Sequence, residues 1–281
     1  MTTESPLRAL AIDIDGTLID SRKQILEFTR SEIERVVTDY GAHLILITAR
    51  GPQSTAVIEE RLGVSASYAT FGGSLVEVRQ PDGGFLRLKA ESLADADVRG
   101  ILTIAKAFDV HVGLYTHDIW YVSSLEYWGM REARNTAIWP ELIDLDDVLE
   151  RDGIDPLFKI MFRGDSEPLA RLGDALQEIE TSTFIHRVKH VIEIVASGAV
   201  KLPALGAVTE HLGFGLDQVI AFGDTAADVE MLEGVGIGYL MGNASPNLTV
   251  APHVKRALSN DEDGIGIALR KHFPSEGLFR P

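Results

Sequence analysis

Cysteine is absent from this chain of 281 residues, which excludes disulfides, thiolate catalysis and sulfur-ligated metal. Long apolar runs are missing too. No stretch of about 18 uninterrupted apolar residues occurs, so a membrane span is not expected. The opening "MTTESPLRAL" lacks the basic-then-apolar order of a secretory signal, and a cytoplasmic location is the expectation. Positive charge is scarce: 26 Lys and Arg stand against 42 Asp and Glu, a formal net charge of −16. Nucleic acid or an anionic membrane would be repelled overall and is not an expected partner. A small phosphorylated ligand is not excluded, because it feels the local field of a cation, a lysine or helix amino termini.

What is present is an ordinary globular composition, 45% hydrophobic and 24% charged. The length suits two modest domains or one large one. Leu7 to Ile14 is nearly continuous apolar sequence, as a strand buried on both faces requires. Ile25, Phe28, Ile33, Val36, Val37 and Tyr40 then fall on one helical stripe that Gly41 ends. "HLILIT" (43–48) reads as a second buried strand, and "PQSTAVIEERLG" as a helix with Pro52 near its start and Gly63 past its end. Strand, helix, strand of this kind implies a parallel sheet with helices packed on it.

After about residue 80 the texture changes. "RQPDGGF" is a turn-rich break, followed by the helical "DADVRGILTIAKAFD" and the strand candidates "VHVGLY" and "IWYVSSL". "DPLFKIMFRG" and "VKHVIEIVA" read as further strands, with "EPLARLGDALQEI" as a helix between them. From about 198 the alternation returns with helix "VKLPALGAVTEHLG", strand "QVIAFGD", helix "AADVEMLEGV" and strand "GIGYLMGN". The expected fold is α/β: a Rossmann-like, doubly wound parallel-sheet core formed by 1–80 plus 196–281, with an α/β domain inserted over 81–195.

Four segments fall where open parallel sheets place their ligands, at strand ends or helix starts. "DIDGT" sets Asp13 and Asp15 two positions apart, which on an extended segment points both the same way. They repel unless a cation or a shared proton holds them. Gly16 permits a sharp turn there and Thr17 adds a hydroxyl. In "TAR", Thr48 and the following amide, that of Ala49, can hydrogen-bond an anion. Lys201 lies in the first turn of its helix, where its charge opposes the helix dipole. In "FGDTAAD", Asp224 leaves a strand and Asp228 follows four residues on. Each alone is an ordinary turn, cap or surface residue. Together they are the parts needed to transfer a phosphoryl group, and the hard oxygen ligands suit Mg²⁺.

The order "DIDGTL", "ITAR", a lysine, then "FGDTAADVEML" resembles the haloacid dehalogenase superfamily of phosphatases. The insert lies between the second and third motifs, as in the branch with the larger α/β cap, and "LMGNA" and "SNDEDGIGIAL" are similar to its Cof-type hydrolases. The resemblance implies Asp13 as a nucleophile that forms an aspartyl-phosphate, and Asp15 as the acid that protonates the leaving alcohol and then activates water. It implies Thr48, Ala49, Lys201 and Asn243 around the substrate phosphate. Mg²⁺ falls to Asp13, Asp224 and the backbone carbonyl of Asp15, supported by Asp228 and Thr17. The implied activity is Mg²⁺-dependent hydrolysis of a small phosphorylated metabolite, sugar phosphates first, by a monomer or weak dimer.

The sequence departs from the pattern at three places. Ala227 stands where asparagine is usual, Gly72-Gly73 replaces asparagine–glycine, and Ala49 replaces glycine in the second motif. Ala227 motivates the alternative of a catalytically weak binding or sensing protein, and a phosphomutase would use the same intermediate. The cap is expected to decide specificity by closing over the core, between hinges near Gly72 to Gly84 and Ala196 to Val200. His117, Trp120, Tyr127, Trp128 and Arg131 are its candidate substrate contacts or, equally, its core.

Overall fold

A computed structural model describes residues 6–150, 155–188 and 190–274. The chain divides into two compact units. One holds the residues through Thr48, Ile58–Leu88 and those from Val200 on; the other holds Ala49–Val57 and Lys89–Ala199.

The first apolar run yields strand β1 (Ala9–Ile12), buried throughout. Helix α1 (Glu27–Tyr40) ends at Gly41, whose φ of 66° is the left-handed conformation that glycine adopts without a Cβ clash. Strand β2 (His43–Ile47), helix α2 (Pro52–Leu62) and strands β3 (Ala66–Thr70), β4 (Leu75–Arg79) and β5 (Phe85–Ala90) follow.

The second unit contains helix α3 (Asp95–Ala105), strands β6 (His111–Tyr115) and β7 (Trp120–Val122), and helix α4 (Tyr127–Thr136). Strand β8 (Glu141–Leu142), helix α5 (Leu145–Glu150), strand β9 (Lys159–Arg163), helix α6 (Ser166–Gln177), and strands β10 (Thr183–Val188) and β11 (Val191–Ala196) complete it. Its sheet runs β10-β11-β9-β6-β7-β8. Val112, Leu114, Ile160, Phe162, Ile192 and Ile194 pack on Ile101, Leu102, Leu169 and Leu172 of α3 and α6. Helices α3 and α6 therefore cover one face, while α4 lies against His111 on the other. Of the stretch 188–196 read as one strand, Lys189 lies outside the described residues, and the segments on either side of it pair as antiparallel β10 and β11.

The chain then returns to the first unit with helix α7 (Lys201–His211), strand β12 (Val219–Gly223), helix α8 (Val229–Gly234), strands β13 (Ile237–Leu240) and β14 (Lys255–Arg256), and helix α9 (Gly264–His272). The sheet order is β14-β13-β12-β1-β2-β3-β4-β5, parallel from β14 to β3 and antiparallel between β3 and β4. Alternate residues of each strand serve alternate faces. Leu10, Ile12, Leu44 and Leu46 meet Ile33, Val36, Ile58 and Leu269 on one side. Ala9, Ala11, Ile45 and Ile47 meet Ala204, Leu205, Val208 and Met231 on the other. With both faces covered, the central strands need the continuous apolar runs that the sequence shows.

This is the doubly wound α/β core with an inserted α/β unit that the sequence predicts. The short segment Ala49–Val57 also groups with the second unit, and the junctions of the insert fall at Leu88–Lys89 and Ala199–Val200 rather than at the expected 80 and 196. The reason is β5, which follows the turn-rich break and adds to the edge of the core sheet.

Candidate active site

Strand β1 stops at Ile12, so the two motif aspartates lie beyond it, where the chain turns. Asp13 is still anchored to the sheet, its N–H donating to the Phe222 carbonyl at 3.1 Å. The chain then turns: the amide of Leu18 donates to the carbonyls of Asp13 and Ile14, and Gly16 takes φ 85°. The expectation that both carboxylates share one side of a strand is thereby corrected. Asp13 is 6% exposed and accepts from Lys201 Nζ at 2.6 Å. The Asp15 side chain is 45% exposed and accepts from Lys23 Nζ at 2.9 Å. Lys23 itself is left-handed, with φ 63°.

Lys201 opens α7, is 7% exposed, and reaches Asp228 Oδ1 at 2.5 Å as well as Asp13. Two carboxylates around one ammonium explain its placement at the wrong end of the helix dipole, and they raise its pKa despite burial. Asp228 is fully buried. Its Oδ2 accepts from the amides of Asp224 and Thr225 at 3.2 and 2.9 Å and from Thr225 Oγ1 at 2.8 Å. This is a capping box that opens the turn Ala226–Asp228. A Cβ on Gly223 would lie 2.4 Å from that of Asp228, so only glycine lets the carboxylate tuck under the strand end.

Asp224 is oriented by Thr17, whose Oγ1 donates to its Oδ1 at 2.9 Å. Asp13, Asp224 and Asp228 each bring an oxygen within 4.8 Å of the others. Burial pushes Asp224 up to about 6, against the pull of the Thr17 hydroxyl, and the Asp228 charge adds to the rise. Burial likewise holds Asp13 well above the carboxylate range, opposed by Lys201. Three carboxylates lie close together with one ammonium bonded to two of them, and a cation would offset their mutual repulsion and favour the charged form of each. Both oxygens of Asp228 already accept hydrogen bonds, which leaves Asp13 and Asp224 as the carboxylates suited to it. A Cβ on Gly16 would fall 2.3 Å from Asp224 Oδ2, so the glycine keeps that space open.

Thr48 is buried, one residue past β2 and two beyond Leu46, the parallel partner of Ile12. Its carbonyl accepts from the Gly72 amide at 2.8 Å. Ala49 is exposed and groups with the second unit. Asn243 is brought to the same loop as Asp15: its Nδ2 donates to the Gly16 carbonyl at 2.7 Å, and its Oδ1 accepts from the Asn260 amide at 3.1 Å. The glycine pair has its own local cause. Gly72 and Gly73 have φ of 71° and 102°, and a Cβ on Gly73 would meet the Val200 carbonyl at 2.7 Å. Ala227 presents its methyl to solvent.

In the second unit, Trp120 is core, stacked on Tyr115 at 5.7 Å between ring centroids. Tyr127 is 67% exposed, with Trp128 edge-on to it and Arg131 over the Trp128 ring. His117 Nδ1 contacts Asp118 Oδ1. Sequence reasoning overlooked Lys159, which is 4% exposed on β9, over the Tyr115 ring and 3.4 Å from Glu193. It also overlooked Lys23 and Asn260. The signal for Asn260 was in the quoted "SNDEDG", but nothing in a single sequence says which backbone it reaches.

The fold is a doubly wound α/β sheet, and at the carboxyl ends of its parallel strands, where such sheets place their ligands, it gathers carboxylates and a buried lysine. A family model described as haloacid dehalogenase-like hydrolase matches residues 10–269, and the chain belongs to that family. It is similar to the 5-amino-6-(5-phospho-D-ribitylamino)uracil phosphatase YitU of Bacillus subtilis, 27% identical over 270 residues, 94% of this chain and 97% of that protein. It is 26% identical over 250 residues to an HMP-PP phosphatase of Citrobacter koseri, covering 88% and 89% of the two chains. Its fold is that of a haloacid dehalogenase-like hydrolase from Bacteroides thetaiotaomicron, with TM-score 0.83 at 22% identity over 95% of this chain and 100% of that one. No helix among the described residues is long and apolar enough to cross a membrane.

Proposed function

We propose that this chain is a Mg²⁺-dependent phosphatase that hydrolyses a small phosphorylated metabolite in the cytoplasm, with sugar phosphates as the leading substrate class. The observation that carries this reading is the convergence of Asp13, Lys201, Asp224 and Asp228, drawn from three separate stretches of sequence, at the carboxyl ends of β1 and β12. A phosphoribityl group in the name of one relative's substrate supports a polyhydroxylated leaving group.

Asp13 attacks phosphorus, the bond to the ester oxygen breaks, and Asp15 donates the proton that the leaving alcohol takes away. Asp15 then removes a proton from water, which displaces Asp13 from phosphorus and regenerates the carboxylate. Lys201 keeps Asp13 oriented and, with Thr48 and the Ala49 amide, balances the charge of the phosphoryl oxygens. Asp13, Asp224 and the Asp15 carbonyl would hold Mg²⁺, whose chemistry is to offset the repulsion between an anionic nucleophile and an anionic ester. Asp228 keeps Lys201 and the Asp224 backbone in place. Splitting the displacement in two explains why one aspartate is buried against a lysine and the other stays at the surface within reach of water.

The test is release of phosphate from p-nitrophenyl phosphate and a panel of sugar phosphates. Asp13→Asn is expected to lower turnover by at least about 10³-fold, and chelation to abolish it until Mg²⁺ is restored. Binding of phosphate esters without turnover of any of them would favour the sensing protein that Ala227 motivates.

A further inference from the structure

The turn that carries Asp15 passes through Gly16 at φ 85° and closes on its own backbone hydrogen bonds, Leu18 N–H to the Asp13 and Ile14 carbonyls among them. Two asparagines from the carboxyl-terminal part of the core add a second set of ties. Asn243 Nδ2 donates to the Gly16 carbonyl at 2.7 Å, just after Asp15. Asn260 Nδ2 donates to the Ile19 carbonyl at 2.8 Å, at the far side of the same turn, where Asp15 and Ile19 form an isolated bridge. The two asparagines are joined to each other, Asn260 N–H to Asn243 Oδ1 at 3.1 Å. One residue on, Asp261 accepts from the Ser21 amide at 2.8 Å. Gly242 fastens the two segments behind them, its amide donating to the Leu258 carbonyl at 3.1 Å.

We infer that Asn243 is a positioning residue for the acid–base aspartate: it acts on Asp15 through the Gly16 carbonyl rather than by binding the transferred phosphate. The inference rests on the phosphatase reading above. An amide suits the task because one end donates and the other accepts, so a single side chain ties the catalytic turn to Asn260. The residue is exposed, and a lone hydrogen bond in solvent adds little to the stability of the fold. Its leverage is on geometry, since a proton donor displaced by about 1 Å can lose about 10²-fold in rate.

The experiment uses the full chain with Mg²⁺ and two esters: p-nitrophenyl phosphate, whose phenolate leaves without a proton, and the best alkyl phosphate among the sugar-phosphate panel, whose alkoxide needs one. The comparison is of kcat/KM, which covers the steps through departure of the leaving group. In Asn243→Ala, the alkyl ester is expected to lose at least about tenfold more than p-nitrophenyl phosphate, a fraction of what a general acid contributes. Inhibition by inorganic phosphate is expected to be unchanged. Asn243→Asp keeps the size and the acceptor but loses the donor, and is expected to show the same altered ratio. Misfolded protein does not disturb the result, because the folded fraction cancels between two substrates measured on one preparation. Equal losses on both esters, weaker inhibition by phosphate, or no change at all would each overturn the inference. A wild-type chain that hydrolyses neither ester would bring down the phosphatase reading itself, a result distinct from all three.

Discussion

Gly16 carries more of the site than its size suggests. It turns the chain with φ 85° and leaves room for Asp224, whose Oδ2 would sit 2.3 Å from any added Cβ. Gly16→Ala therefore meets both backbone strain and a carboxylate. Left-handed strain at a non-glycine residue costs about 1–3 kcal/mol, and displacing Asp224 is expected to lower kcat/KM by about 10²-fold with weaker activation by Mg²⁺. Denaturant unfolding and a magnesium titration of activity check the two effects separately. At this scale the sequence was legible where chemistry forces residue type. Asp13, Asp224, Asp228 and Lys201 could be picked out because carboxylates and a lysine at strand ends have few other uses in that combination. Lys23 could not, because a lysine in left-handed backbone carries no mark in the sequence. The ion pair that draws the Asp15 side chain toward Lys23 was hidden for the same reason.

Among the elements, the buried strands were legible and the marginal ones were not. β2 and β12 are covered on both faces and read as unbroken apolar runs. β5 lies at the edge of its sheet with most residues exposed, and β8 is two residues long, so neither leaves a pattern. β6 makes a prediction of its own. His111 on it is 7% exposed, with the backbone of Gly129 in α4 against its ring and no hydrogen-bond partner at Nε2. Burial, aided by the Arg163 guanidinium, pushes its pKa down to about 4 from an ordinary 6.5. The unfolded chain thus takes up the proton first. The stabilising effect of the neutral ring is complete above pH 6.5 and is lost as the pH falls towards 4. Between pH 7 and 5 the second unit is expected to lose on the order of 1–2 kcal/mol from this group. Denaturant melts at the two pH values check it, and His111→Gln should flatten the difference.

Among the described residues of the whole molecule, two apolar clusters cover the two faces of the eight-stranded sheet, and a third lies between the six-stranded sheet and α3, α5 and α6. The carboxylates and lysine of the proposed site belong to the first unit. Calorimetry is expected to resolve two transitions, and Mg²⁺, whose proposed ligands Asp13, Asp15 and Asp224 all lie in the first unit, should raise only one of them. At 100 times the dissociation constant that shift corresponds to about 2.7 kcal/mol. Equal movement of both transitions would contradict it. The split into two α/β parts was readable from the change of texture near residue 80, but the junction was not, because β5 is an edge strand that begins on the far side of the break.

The position of β1 between β2 and β12 also has a history during synthesis. The ribosome makes the amino-terminal half first, so Asp13 and Thr48 emerge early, with β2 ready to pair. Lys201 and Asp224 emerge only after the entire insert has been translated. A nascent or truncated chain can therefore display the proposed nucleophile while lacking the groups proposed to activate and orient it. Fragments of this protein should be chemically silent, and the cell is spared an unselective half-enzyme by the order in which its parts are written.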